Sequence, residues 1–300
     1  MSFGSGFLRY PDLFPGRRGG EPWGDRGLAL DVAGGPYIFR GLSAAQEEAV
    51  RRRFGALCGE GTSEGIPSAV FRAPAADFLD IDTRGWEYSL EMDHAASAVR
   101  LAGLRLMARL DWTPSLAGGF WTPEAAGEEF SSVFENYLRI LAAYRLLERG
   151  GAVIHSAGVT DGQAAFLLLG PSGAGKTTSS RLCLERGATV LSDDLNAVRD
   201  GFVVKLPFTG DLGERSGGPE SVPLRALLKL VQGPENRLRP LSPAAALASL
   251  VAASPFVNRD PWRREALLET LEALARAVPA YELTFTLGGD VWGILKSIPS

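Results

Sequence analysis

Residues 170–177 read Gly-Pro-Ser-Gly-Ala-Gly-Lys-Thr, directly after the apolar run Ala164-Ala165-Phe166-Leu167-Leu168-Leu169. This is Gly-x4-Gly-Lys-Thr at the end of a predicted strand, the arrangement that wraps backbone amides around a phosphate. Gly170, Gly173 and Gly175 carry no side chain to keep an oxyanion away. They tolerate positive φ, so successive N–H groups can line one concavity. Pro171, Ser172 and Ala174 complete the loop, and the helix predicted from Gly175 onward adds the positive end of its dipole. The chain has four lysines, Lys176, Lys205, Lys229 and Lys296, so finding one at this position is informative. Lys176 is expected to reach the terminal phosphates. The Thr177 hydroxyl, or failing it Thr178, is expected to coordinate Mg²⁺. The implied ligand is ATP or GTP with Mg²⁺. No Asn-Lys-x-Asp stretch gives guanine positive support, and nothing in the loop itself distinguishes adenine from guanine.

Beyond the loop, a short helix is predicted to end at Gly187, and Ala188-Thr189-Val190-Leu191 reads as a buried strand. Ser192-Asp193-Asp194 follows. Ligands of α/β sheets bind at the carboxyl ends of strands, so the two carboxylates are expected to face the phosphates. Eighteen positions separate Lys176 from Asp194, a single loop–helix–strand unit. Upstream, the apolar run from Ala152 to Val159 contains His155, and Thr160-Asp161-Gly162 reads as the turn of a hairpin. A lone histidine in an apolar strand is ordinarily a hydrogen-bonded core residue.

The order His155, Lys176-Thr177, Asp193-Asp194 resembles the catalytic domain of HPr kinase/phosphorylase, whose nucleotide fold is shared with phosphoenolpyruvate carboxykinase. The matched block runs from about Gly151 to Arg199. The resemblance implies an α/β phosphate-loop kinase domain; the residues before it, which give no match to that family's amino-terminal domain, read from their own pattern as a smaller α+β domain. It implies that His155 is the active-site histidine, Lys176 the phosphate-binding lysine and Asp194 the acceptor of a serine hydroxyl proton. Thr177 and Asp193 would lie at Mg²⁺. The family's Glu-Ile-Arg-Gly stretch has its nearest counterpart in Gly213-Glu214-Arg215-Ser216-Gly217-Gly218, which makes Glu214 a candidate metal ligand. The implied activity is an ATP-dependent serine kinase, acting on a protein, peptide or small-molecule hydroxyl, and the family forms homo-oligomers. The sequence departs from that family at Ser156 and Thr177-Thr178, and the later arginine loop has no clear copy. A nucleotide-gated binding module with little turnover is the other reading.

Composition narrows the partners. A net charge of −4 and a pI near 5.4 give no electrostatic footprint for nucleic acid. Cys58 and Cys183 are too few for a disulfide framework or a zinc site. Met1–Gly20 lacks the apolar core of a secretory signal, and no apolar run reaches 18 residues, so a cytoplasmic protein with no membrane span is expected. Residues 1–26 read as a flexible Gly/Pro/Arg-rich arm, 27–122 as an accessory α+β domain and 123–300 as the phosphate-loop domain. In residues 125–149, Phe130, Val133, Phe134, Tyr137, Leu138, Leu141 and Tyr144 recur at three- and four-residue steps. This stretch is expected to be a helix that bridges the two units and packs on the phosphate-loop sheet.

Overall fold

The computed structural model describes residues 20–60, 64–75, 78, 90–208, 210–213, 218–286 and 288–299. The chain divides into two compact units, Met1–Arg145 and Leu146–Ser300.

The first unit is built on a sheet of eight strands: β1 (Arg26–Leu30), β2 (Tyr37–Leu42), β3 (Cys58–Gly59), β4 (Ile66–Arg72), β5 (Glu91–Ala95), β6 (Ala98–Gly103), β7 (Leu106–Trp112) and β8 (Leu116–Thr122). Their order is β3-β1-β2-β4-β8-β7-β6-β5. Pairing is antiparallel except where β4 runs parallel to β2 and β8. The strands expected at 78–81 and 86–90 fall almost wholly outside the described residues. Helix α1 (Ala44–Phe54) starts where Ser43 predicts it. The Ser43 hydroxyl accepts the Gln46 N–H at 3.2 Å and the Gln46 side chain accepts the Ser43 N–H at 3.0 Å, a reciprocal cap.

Helix α2 (Gly127–Glu148) carries the aromatic stripe, and its partners differ from expectation. Phe134 lies 4.5 Å from Phe39 and 5.8 Å from Phe54, and Tyr137 lies 4.8 Å from Phe120, ring centre to ring centre. The rings of Phe134 and Tyr137 therefore pack on the first sheet and α1. Tyr137, fully buried, reaches Ser68 Oγ at 2.5 Å, and burial pushes its phenol well above the ordinary range. The residues before β1 are not a free arm from position 21 onward. Glu21 accepts the Arg72 N–H, and the Trp23 N–H donates to Gly41.

The second unit contains β9 (Ala152–Thr160), β10 (Ala165–Leu169), α3 (Lys176–Glu185), β11 (Thr189–Ser192), β12 (Leu195–Arg199), β13 (Phe202–Val204), β14 (Ser221–Gln232), β15 (Arg237–Pro240), α4 (Pro243–Ala253), α5 (Arg264–Ala277), β16 (Ala280–Phe285) and α6 (Val291–Lys296). Two long strands organise it. The first half of β9 pairs with β12, and the second with β10 and β11. β14 starts against β13, then runs parallel to β10 and to β16. Asp161 fixes the β9–β10 hairpin by accepting the N–H groups of Gln163 and Ala164, both at 2.9 Å. β15 closes the sheet edge, with Pro240 opposite Tyr281.

One face of this sheet is sealed by α3 and α6, with Phe166, Leu168, Val190, Leu228, Leu283, Phe285 and Trp292 among the buried residues. Phe166 meets Trp292 edge to face at 6.0 Å. Cys183 on α3 is wholly buried in this layer, and desolvation pushes its thiol up to about 12, which leaves it inert. Helices α4 and α5 pack on each other, and α4 lies against β9, β10, β14 and β16. No helix among the described residues is long and apolar enough to cross a membrane.

Candidate functional site

β10 ends at Leu169 and α3 begins at Lys176, so residues 170–175 form a tight connection between a buried strand and a helix. Its apex is a turn. The Ala174 N–H donates to the Pro171 carbonyl at 3.1 Å, with Gly173 at φ +78°. Gly175, at φ +99° and ψ +20°, is the N-cap residue, and no side chain caps the helix there. The amides of the first helical turn thus lack intrahelical acceptors. A Cβ on Gly175 would stand 2.5 Å from Cζ of Phe285, so glycine is required by both conformation and space.

Lys176 is 7% exposed and is folded over its own loop. Its ammonium donates to the carbonyls of Gly170 at 2.9 Å and Pro171 at 3.2 Å. Burial lowers its pKa, and the Asp194 carboxylate partly opposes that shift. A desolvated ammonium held by neutral carbonyls, next to uncapped helix amides, is a site that gains from an incoming anion. The residues fit a nucleotide phosphate on these grounds. Thr177 and Thr178 are half-buried in the first turn of α3, where a hydroxyl can serve a hard cation.

The acidic pair does not sit at a free strand end. β11 and β12 are successive stretches along β9, with Ser192 opposite Gly158 and Leu195 opposite His155. Asp193-Asp194 is the kink between them. Asp194 is anchored through its backbone: its N–H donates to Ser192 Oγ at 3.2 Å and its carbonyl accepts the Ser156 N–H at 3.0 Å. Its Oδ1 then lies 3.9 Å from Nε2 of His155. His155 is exposed although its strand neighbours are buried, which is not the environment of a core histidine. Asp193 turns the other way. It is 4% exposed and accepts the Leu212 N–H, with its nearer oxygen at 3.3 Å.

His155, Lys176 and Asp194 are thus brought to one end of the sheet, whereas Asp193 is engaged by the 210–213 segment. Glu214 lies outside the described residues. Among the described residues, no group of three His, Cys, Asp or Glu side chains could hold a metal ion.

Three contributors are absent from the motif. Gln232, at the end of β14, donates from Nε2 to the Gly173 carbonyl at 2.9 Å. Phe285, paired with Gln232 across the β14–β16 ladder, supports Gly175. Asn196, wholly buried, donates to the Ser156 carbonyl at 2.9 Å and to Ser156 Oγ at 3.1 Å. The only advance signal for Gln232 and Phe285 is their place at the carboxyl ends of strands.

The second unit is thus an α/β unit with a glycine-rich strand–loop–helix connection at Gly170–Lys176 and an acidic kink at Asp193-Asp194. Residues 129–298, more than half of the chain, match the family model described as SynChlorMet cassette protein ScmC, and the chain belongs to that family. This finding corrects the resemblance drawn from His155, Lys176 and Asp194: the matching family is ScmC, not HPr kinase. The family description states no reaction. No curated protein matches the chain.

Proposed function

We propose that the second unit is an ATP-dependent phosphotransferase acting on a hydroxyl acceptor. The reading is supported above all by the pairing of Asp194 with His155, Oδ1 to Nε2 at 3.9 Å, at the strand kink whose backbone is tied to Ser156, the residue opposite the last strand position before the loop that Lys176 closes. A site that only held phosphate would have no use for a carboxylate base there.

In this mechanism the loop amides and Lys176 hold the phosphates, with Thr177 or Thr178 toward Mg²⁺. When bound, Mg²⁺ neutralises phosphate charge. Asp194 accepts the acceptor's hydroxyl proton as the new O–P bond forms. The bond from the terminal phosphorus to its bridging oxygen breaks, and the electron pair leaves on ADP. His155, beside Asp194, orients the carboxylate or the acceptor. A cytoplasmic setting, where ATP is plentiful, belongs to the same proposal. The test is incubation with γ-labelled ATP, Mg²⁺ and serine-containing peptides, serine or the chain itself. Transfer should fall at least ~100-fold in Asp194→Asn with nucleotide binding retained.

A second reading, a nucleotide-gated binding module, is favoured by Asp193, whose carboxylate is taken up by the Leu212 N–H. Tight nucleotide binding without transfer to any acceptor would select it.

A further inference from the structure

Gln232 is 59 residues from the phosphate loop in sequence, yet its side-chain amide holds the carbonyl of Gly173 at 2.9 Å. It is a side chain from outside residues 170–176 that hydrogen-bonds to the loop backbone. Its placement follows from the sheet. β14 runs parallel to β10 with Lys229 opposite Leu169, so Gln232 projects past the point where β10 gives way to the loop. The Gly173–Ala174 peptide is pinned on both sides: its carbonyl by Gln232, and its N–H by the Pro171 carbonyl.

This matters because of the sign of the carbonyl dipole. A carbonyl oxygen turned into an anion cradle repels the phosphate it should attract, and a glycine at φ +78° is free to swing. An amide donor on the neighbouring strand keeps that oxygen engaged at the rim. We infer that Gln232 is a positioning residue of the nucleotide site, fixing the Gly173 peptide so that the loop is ready for phosphate. The inference rests on the nucleotide reading and adds to it a determinant outside the Gly-x4-Gly-Lys-Thr motif. Gln232 is exposed, so its hydrogen bond contributes little to the fold itself.

The experiment compares the full chain with Gln232→Met, which removes the donor at nearly constant volume, and Gln232→Glu, which sets a carboxylate against the Gly173 carbonyl. Mg·ATP affinity is measured by calorimetry, and the melting midpoint is measured without nucleotide. The expected result is a five- to tenfold loss of affinity in Gln232→Met and a larger loss in Gln232→Glu, with unliganded midpoints unchanged. Equal affinity in the wild type and both variants overturns the inference while leaving the nucleotide reading intact. A fall in the unliganded midpoint that accounts for the lost affinity also overturns it, since Gln232 would then be only structural. Absence of nucleotide binding by the wild type removes the nucleotide reading, and the inference with it.

Discussion

His155 Nε2 lies 3.9 Å from Asp194 Oδ1 because Leu195 stands directly across from His155 in the β9–β12 ladder. The separation is set by strand register, not by a loop. The kink that turns the Asp194 side chain out of the ladder depends on Asn196, Ser156 and Ser192, all wholly buried. Asn196→Ala would leave a buried carbonyl and hydroxyl without their donor. A loss of about 2 kcal/mol in urea unfolding is expected. Transfer activity should fall further than the affinity for Mg·ATP, because Asp194 moves while the loop does not.

Lys176 has a pKa lowered chiefly by burial. Between that lowered value and the ordinary lysine value, the unfolded chain binds more protons than the folded one, so this group makes stability rise with pH in that window. Below the window both states are protonated and the full cost of burying the charge is present. Lys176→Met should therefore raise the unliganded melting midpoint at neutral pH and flatten its rise on the alkaline side. On the proposed function, nucleotide affinity should drop by about tenfold or more in the same variant, because the variant could make no charge-assisted contact to phosphate.

Gly175→Ala places a methyl group 2.5 Å from Phe285 Cζ at a residue with φ +99°. Both strain and overlap follow, and a loss of about 2 kcal/mol is expected, accompanied by weakened Mg·ATP binding. Adding Phe285→Leu should recover part of the loss by relieving the overlap. The backbone strain remains, so recovery is incomplete.

In the first unit, Phe134→Ala removes a ring that touches Phe39, Phe54, Phe120 and Phe130. The cost should be about 3–5 kcal/mol, read by melting or urea. Because the stripe belongs to this unit, the nucleotide affinity of the remaining folded protein should change little.

Much of the local structure is legible in the chain. The Ser43 cap, the Asp161-Gly162 hairpin and the strand through Tyr281–Phe285 all follow from side-chain chemistry that acts within a few residues. Partner choice is where the reading stops. The spacing from Phe130 to Tyr144 shows that one helix face is apolar, but the rings that meet it come from β2, α1 and β8. In the site, the loop and Asp194 can be found because motif and spacing are short-range. Asp193 reads the same as Asp194 in sequence, and only the kink separates a carboxylate beside Lys176 from one turned to Leu212. β15 is not legible in the sequence, because four residues ending in proline carry no periodicity.

The loop is gripped by Gln232 and Phe285, two facing residues that enter the chain more than fifty positions after it. A fragment ending at Arg199 would hold every residue of the Gly-x4-Gly-Lys-Thr signature and the Asp pair, yet lack the two neighbours that give them shape. On the proposed function, nascent chains should acquire nucleotide affinity only once β16 has been synthesised and docked, which would make the finished loop a late product of folding.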